Sequence, residues 1–129
     1  MIRRIHEDQF FIVDHNQSDR VYRVARTAVP FADPKDAERA FAAFDLALTT
    51  VPPGSRLLLD LRDAPFRNDD AFETVSERAR ERAYARFVKV AVLVRTATGM
   101  LQMQRRHQGL PKTVGAFDDE DRAFDFLLD

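Results

Sequence analysis

RLLLDLRDAPFRNDD, residues 56–70, decides how this chain is read. Leu57, Leu58 and Leu59 leave no polar position for a wet face, so the run predicts a central strand covered on both sides. The segment that follows is crowded with charge and contains no serine, threonine or histidine. Pro65 shapes a turn, and Asn68 to Asp70 supply the cap of a following helix. Capping needs only one or two polar groups. The surplus makes Arg62, Asp63, Phe66, Arg67, Asn68, Asp69 and Asp70 a candidate contact patch beyond the strand. Phe66, between a proline and an arginine, either plugs the sheet edge or anchors a partner.

Outward from this stretch the pattern alternates. From Asp69 to about Arg86 the spacing is helical, with Phe72, Val75, Ala79 and Ala83 inward and Glu77, Arg78, Arg80, Glu81 and Arg82 solvated. Asp70 and Glu73 have capping-box spacing, with the aspartate at the cap. VKVAVLV, 88–94, reads as a second buried strand. TATGMLQMQRRHQ continues as a helix closed by Gly109 and Pro111, KTVGAF is a short strand, and DDEDRAFDFLLD is a last helix with Ala123, Phe124, Leu127 and Leu128 facing the core. Toward the N-terminus, QFFIVD (9–14) and RVYRVAR (20–26) flank the polar turn HNQSD and predict an antiparallel hairpin. Asp33-Pro34 opens a helix, PKDAERAFAAFDLAL, whose apolar stripe is Ala37, Ala40, Phe41, Phe44 and Leu48.

The element order is therefore ββαβαβαβα. Right-handed crossovers make the later strands parallel, giving an α/β fold over residues 1–129 as one domain: a mixed five-stranded sheet, antiparallel hairpin first, with four helices. In such sheets, ligands and partners meet the loops beyond the carboxyl ends of the strands, near the point where strand order reverses. DLRDAPFRNDD, RTATG and AFDDED all fall on that edge.

Composition narrows the function classes. A net charge of -1 gives no overall pull toward nucleic acid or anionic lipid. Seventeen arginines against three lysines would suit phosphate or carboxylate binding, although a compositional habit of the source genome explains the bias as well. Cysteine is absent, which excludes disulfides, thiolate metal sites and cysteine nucleophiles and suits a reducing compartment. No stretch is apolar enough for a signal peptide or a membrane span, so cytoplasmic residence is the expectation. His6, His15 and His107 share no ligand spacing, so no metal and no cofactor is expected. Ser55 and Ser76 lack a neighbouring base, and no catalytic set emerges. The expectation is a protein that is not an enzyme.

QFFIVD, LLLDLRDAP, VAVLVRTATGMLQMQ and AFDDEDRAFDFLL, in that order, resemble the STAS domain shared by anti-sigma-factor antagonists and the cytoplasmic tails of sulfate transporters. The resemblance is greater to its SpoIIAA-like branch, often labelled STAS/CRAL-TRIO. It implies a non-enzymatic regulatory or interaction module using the loop after the central strand, with a protein partner or a second copy of itself, a homodimer, docked there. In the signalling members a serine or threonine of that loop is phosphorylated by a partner kinase. Here no hydroxyl lies between Ser55 and Thr74, and an aspartate at 63, 69 or 70 lacks the second charge and third oxygen of a phosphate. The CRAL-TRIO comparison implies instead a lipid-like ligand between helix and sheet.

Three residues carry a competing reading. Asp60 at the end of a buried strand, with Asp14 and Thr96, resembles a receiver-domain phosphoacceptor site. The set does not close: Asp14 is followed by His15 and not by a second acid, Lys112 precedes the last strand where a lysine should follow it, and RVYRVAR would have to be helix. Asp60 otherwise ends its strand by accepting backbone hydrogen bonds or pairing with an arginine. Arg95 and Thr96, in RTATG, stand at a helix N-terminus where a small anion could sit, or Thr96 simply caps the helix. Arg105, Arg106 and His107 suit the negative end of the same helix.

Overall fold

The computed structural model describes residues 1–65, 69–111 and 113–129. Phe66, Arg67 and Asn68 of the predicted patch, and Lys112, lie outside the described residues. Among those described, the chain forms six strands and four helices: β1 (Ile2–Glu7), β2 (Phe11–Asn16), β3 (Val21–Arg26), α1 (Pro34–Ala47), β4 (Arg56–Asp60), α2 (Asp70–Tyr84), β5 (Lys89–Leu93), α3 (Ala97–Arg106), β6 (Val114–Phe117) and α4 (Glu120–Leu128). The predicted hairpin is β2–β3, and the mixed α/β class holds.

The strand missing from the sequence reading is β1. Its pairing with β2 slips between Arg4 and His6. That bulge at Ile5 breaks the period-two pattern on which a strand is recognised.

All six strands form one sheet in simple chain order. β1, β2 and β3 are antiparallel, and β3 through β6 are parallel. The expected reversal of strand order does not occur. Each parallel crossover steps to the next neighbour in the same direction, and with right-handed connections α1, α2 and α3 all land on one face. Leu57, Leu59, Val90 and Val92 turn to that face and pack with Ala37, Ala40 and Phe44 of α1 and Ala83 of α2. α4, leaving the last strand, covers the other face, where Ala123 and Leu127 meet Val21, Leu58, Ala91 and Leu93. This two-sided cover explains the unbroken leucine run. Leu128, expected inward, is instead half-exposed.

Each helix starts on a side-chain cap. Asp33 accepts from the Asp36 N–H, Asp69 from Phe72, Thr96 from Gly99 and Asp119 from Arg122, at 2.8, 2.8, 3.0 and 3.1 Å. The cap of α2 is thus Asp69 and not Asp70, which leaves Glu73 free for another task. Because α1 to α4 follow β3 to β6, all four helices begin at the carboxyl edge of the parallel strands.

Candidate functional site

On the α4 face the carboxyl edge is closed by an ion-pair network. Asp60, the last residue of β4, accepts hydrogen bonds from the Arg62 backbone at 3.1 Å, from Arg62 Nε at 3.0 Å and Nη2 at 2.9 Å, and from Arg23 Nη2 at 3.0 Å. Both arginines also reach Glu120, the first residue of α4. Burial works to raise the Asp60 pKa. The hydrogen bonds from Arg62 and the charges of Arg62 and Arg23 outweigh it and hold the carboxyl below its ordinary range. Asp60 therefore joins three segments far apart in sequence, which is the strand-ending role expected of it.

Beyond the strand ends lies an exposed rim. Asp63 in the loop after β4 and Arg95 in the loop after β5 meet at 2.9 Å, with their side chains 70% and 68% exposed. The two predicted patch residues from different loops thus share one surface. Thr96 caps α3, Asp69 caps α2, and Asp70 opens α2 exposed to solvent.

On the opposite face the sheet and helices do not close. A cavity of about 780 Å³ opens between α2 and α3, floored by Leu57, Leu59 and Val94 and walled by Phe72, Ala79 and Met103. Its volume falls within the range of roughly 300–1,000 Å³ typical of small-molecule sites. Helical spacing predicts Phe72 and Ala79 in the core but not at a void. Apolar periodicity reports which residues face inward, not how completely the space is filled.

Charge around the cavity is one-sided. Among the described residues its lining carries Arg26, Arg62, Arg80, Arg95 and Arg106 against a single carboxylate, Glu73. Arg62 pairs with Asp60 and Arg95 with Asp63. Glu73 of α2 takes Arg106 of α3 at 2.8 Å and Arg80 at 3.8 Å, forming a clasp across the gap. Arg106, expected to serve the end of its own helix, is used here to tie two helices together.

Arg26 is different. It is 93% buried (7% exposed) and projects from the last position of β3 under a ring cluster, with its guanidinium carbon 4.1 Å from the Phe31 centroid and 5.6 Å from those of Phe10 and Phe11. It donates to the carbonyl oxygens of Phe10, Thr27 and Val29 at 3.3, 2.9 and 2.7 Å. No carboxylate among the described residues forms an ion pair with it. Burial lowers its pKa to about 10, opposed only by the charge of Asp8, so it stays protonated at neutral pH. Asp8 itself is occupied by the Phe10 and Phe11 amides and by His6, each at 2.8 Å. Arg26 escaped the sequence reading because an arginine closing RVYRVAR reads as the polar end of a strand.

At the far end of the gap Tyr84 Oη stands 3.4 Å from His107 Nε2. Burial pushes the tyrosine up to about 12 and, with the charge of Arg80, pushes the histidine down. Among the described residues no group of three or more His, Cys, Asp or Glu side chains is arranged to hold a metal ion, and no helix is long and apolar enough to cross a membrane.

The element order and the sheet connectivity, with α1 to α3 on one face and α4 on the other, are those of a SpoIIAA-like fold. Among solved structures the chain is similar to an uncharacterised DUF3478-family protein from Shewanella loihica with a SpoIIAA-like fold. The TM-score is 0.57 at 16% sequence identity, covering 98% of this chain and 93% of that one. No family model and no curated protein matches the sequence.

Proposed function

We propose that the chain is a non-enzymatic STAS-like binding module that docks a protein partner or a second copy of itself on the rim beyond β4 and β5. The observation that carries this reading is the exposed meeting of Asp63 and Arg95, which joins the two loops into one charged surface. Arg62 contributes its exposed portion, and Asp60 acts from behind by fixing Arg62. Asp69, Asp70 and Thr96 belong to the same proposed surface, and Phe66, Arg67 and Asn68, outside the described residues, are included in the proposal for their place in sequence between β4 and α2. The phosphorylatable hydroxyl of the signalling members has no counterpart here, so contact is constitutive in this reading.

The test is a charge swap. Asp63→Arg combined with Arg95→Asp preserves the internal ion pair while reversing the rim, and self-association is followed by sedimentation velocity, partner contact by affinity capture with the swapped protein as control. Loss of association with an unchanged melting curve supports the rim; identical association by both proteins removes it.

The cavity between α2 and α3 favours a second reading, in which the module also holds a small ligand. A phosphoacceptor role for Asp60 has less support. β3 separates β2 from β4, so Asp14 and Asp60 sit on strands that are not neighbours, and each is engaged by arginine, Asp14 by Arg4 and Asp60 by Arg23 and Arg62.

A further inference from the structure

We infer that the cavity between α2 and α3 is a site for a monocarboxylate with a flat aromatic body, its carboxylate seated on Arg26 and its ring among the phenylalanines beside it. This rests on the small-ligand reading and specifies the chemistry of the ligand.

Four of the five arginines lining the cavity have a carboxylate within ion-pair distance: Arg62, Arg80, Arg95 and Arg106. Arg26 is the most buried of the five and has none among the described residues. A buried guanidinium without a counter-ion is unfavourable, and three carbonyl dipoles relieve that only in part.

The donors of Arg26 that make no contact among the described residues define the shape of a group it can take. A guanidinium carries five N–H groups. Those of Arg26 that are engaged belong to Nη1, which contacts Phe10, Thr27 O and Thr27 Oγ1, and to Nη2, which contacts Val29 O. Nε donates to none of the described residues, and Nη2 donates to Val29 O. The Nε–Nη2 edge of a guanidinium is one that takes both oxygens of a carboxylate.

The surroundings select the body of the ligand. Phe11, Phe31, Phe41, Phe44 and Phe72 all line the cavity at the Arg26 end, with Phe31 in ring contact with Phe11, Phe41 and Phe72 at 6.3, 5.6 and 5.7 Å between centroids. Tilted ring clusters accept a further aromatic ring with favourable edge and face contacts that an alkyl chain does not make. With Arg62 and Arg95 matched by Asp60 and Asp63, Arg26 and the two arginines that share Glu73 still leave the lining net positive, which favours an anion.

The experiment titrates the purified chain with naphthoate, naphthalenemethanol and decanoate by calorimetry. It compares wild type with Arg26→Lys, which keeps the charge but loses the fork, Arg26→Met, and Gln102→Trp on the exposed side of α3, which narrows the opening. Naphthoate should bind tightest. Arg26→Lys and Arg26→Met should weaken it by roughly ten- to a hundredfold, the effect of losing a charge-assisted bidentate contact, while naphthalenemethanol changes little and Gln102→Trp weakens both. Should Arg26→Met fail to melt cooperatively, Arg26→Lys decides alone. Equal binding of naphthoate by wild type and the folded Arg26 variants overturns the anchor. Decanoate binding as tightly as naphthoate overturns the aromatic body. If none of the three binds, the small-ligand reading itself falls, and the rim proposal is untouched.

Discussion

The two faces of this sheet meet the same strand edge and treat it in opposite ways. Under α4 the polar groups are self-sufficient: Asp60, Arg23, Arg62 and Glu120 satisfy one another, and Leu58 beneath them is fully buried. Under α2 and α3 the packing stops short, leaving a cavity and a buried guanidinium with no carboxylate paired to it among the described residues. The contrast separates structural charge from charge that is available. An arginine that the fold has already matched stabilises the fold; a buried one left unmatched beside a void is positioned for something brought from outside.

The contrast is broken most directly in the leucine run, whose neighbours point to opposite faces. Leu58→Ala removes a side chain enclosed by α4, and urea denaturation should register a loss of about 3–4 kcal/mol. Leu59→Ala opens onto a cavity that already exists and should cost about 2 kcal/mol. Equal losses would mean that the α2–α3 side is packed in solution as tightly as the other. Next in size, Asp60→Asn removes the negative charge and one of the two acceptor oxygens that two arginines share. Because both are about a third exposed, water relieves part of the loss, and about 2 kcal/mol is expected where a fully buried pair would forfeit about 3–5.

Acid should sharpen the same point. The folded pKa of Asp60 lies below its unfolded value of about 3.9. Its stabilisation is therefore present above that value and is lost as pH falls through the folded pKa. Below about pH 4, wild type should lose stability more steeply than Asp60→Asn in parallel denaturant titrations. The smallest effect belongs to the rim: Asp63→Ala or Arg95→Ala should move stability by less than about 0.5 kcal/mol, since an exposed pair contributes little, and any larger functional effect would then be a matter of recognition.

Much of this architecture was legible from periodicity and caps. Leu57–Leu59 mark a strand covered on both sides, the stripe of α1 follows helical spacing residue by residue, and Asp33, Thr96 and a residue of the Asn68–Asp70 trio have the chemistry of helix starts. What was not legible depended on three-dimensional fit. Glu73 looks like a capping-box partner in sequence, yet Asp69 caps α2 and Glu73 crosses to α3. Strand order follows from how successive crossovers stack, which local pattern does not encode. The cavity and the solitude of Arg26 are properties of space left over between helices, and no single residue type records them.

The kink in the first strand has a consequence for how copies of this molecule meet. A straight border strand offers an unbroken ladder to a neighbour, inviting sheet-to-sheet polymerisation. Here the pairing jumps a step at Ile5, and Arg3, Arg4 and Glu7 add charge along the same border. The opposite border, β6, is only four residues long. With both flanks poorly suited to lateral growth, stacking into fibres is discouraged, and any specific encounter between copies is directed toward the loops at the top of the sheet.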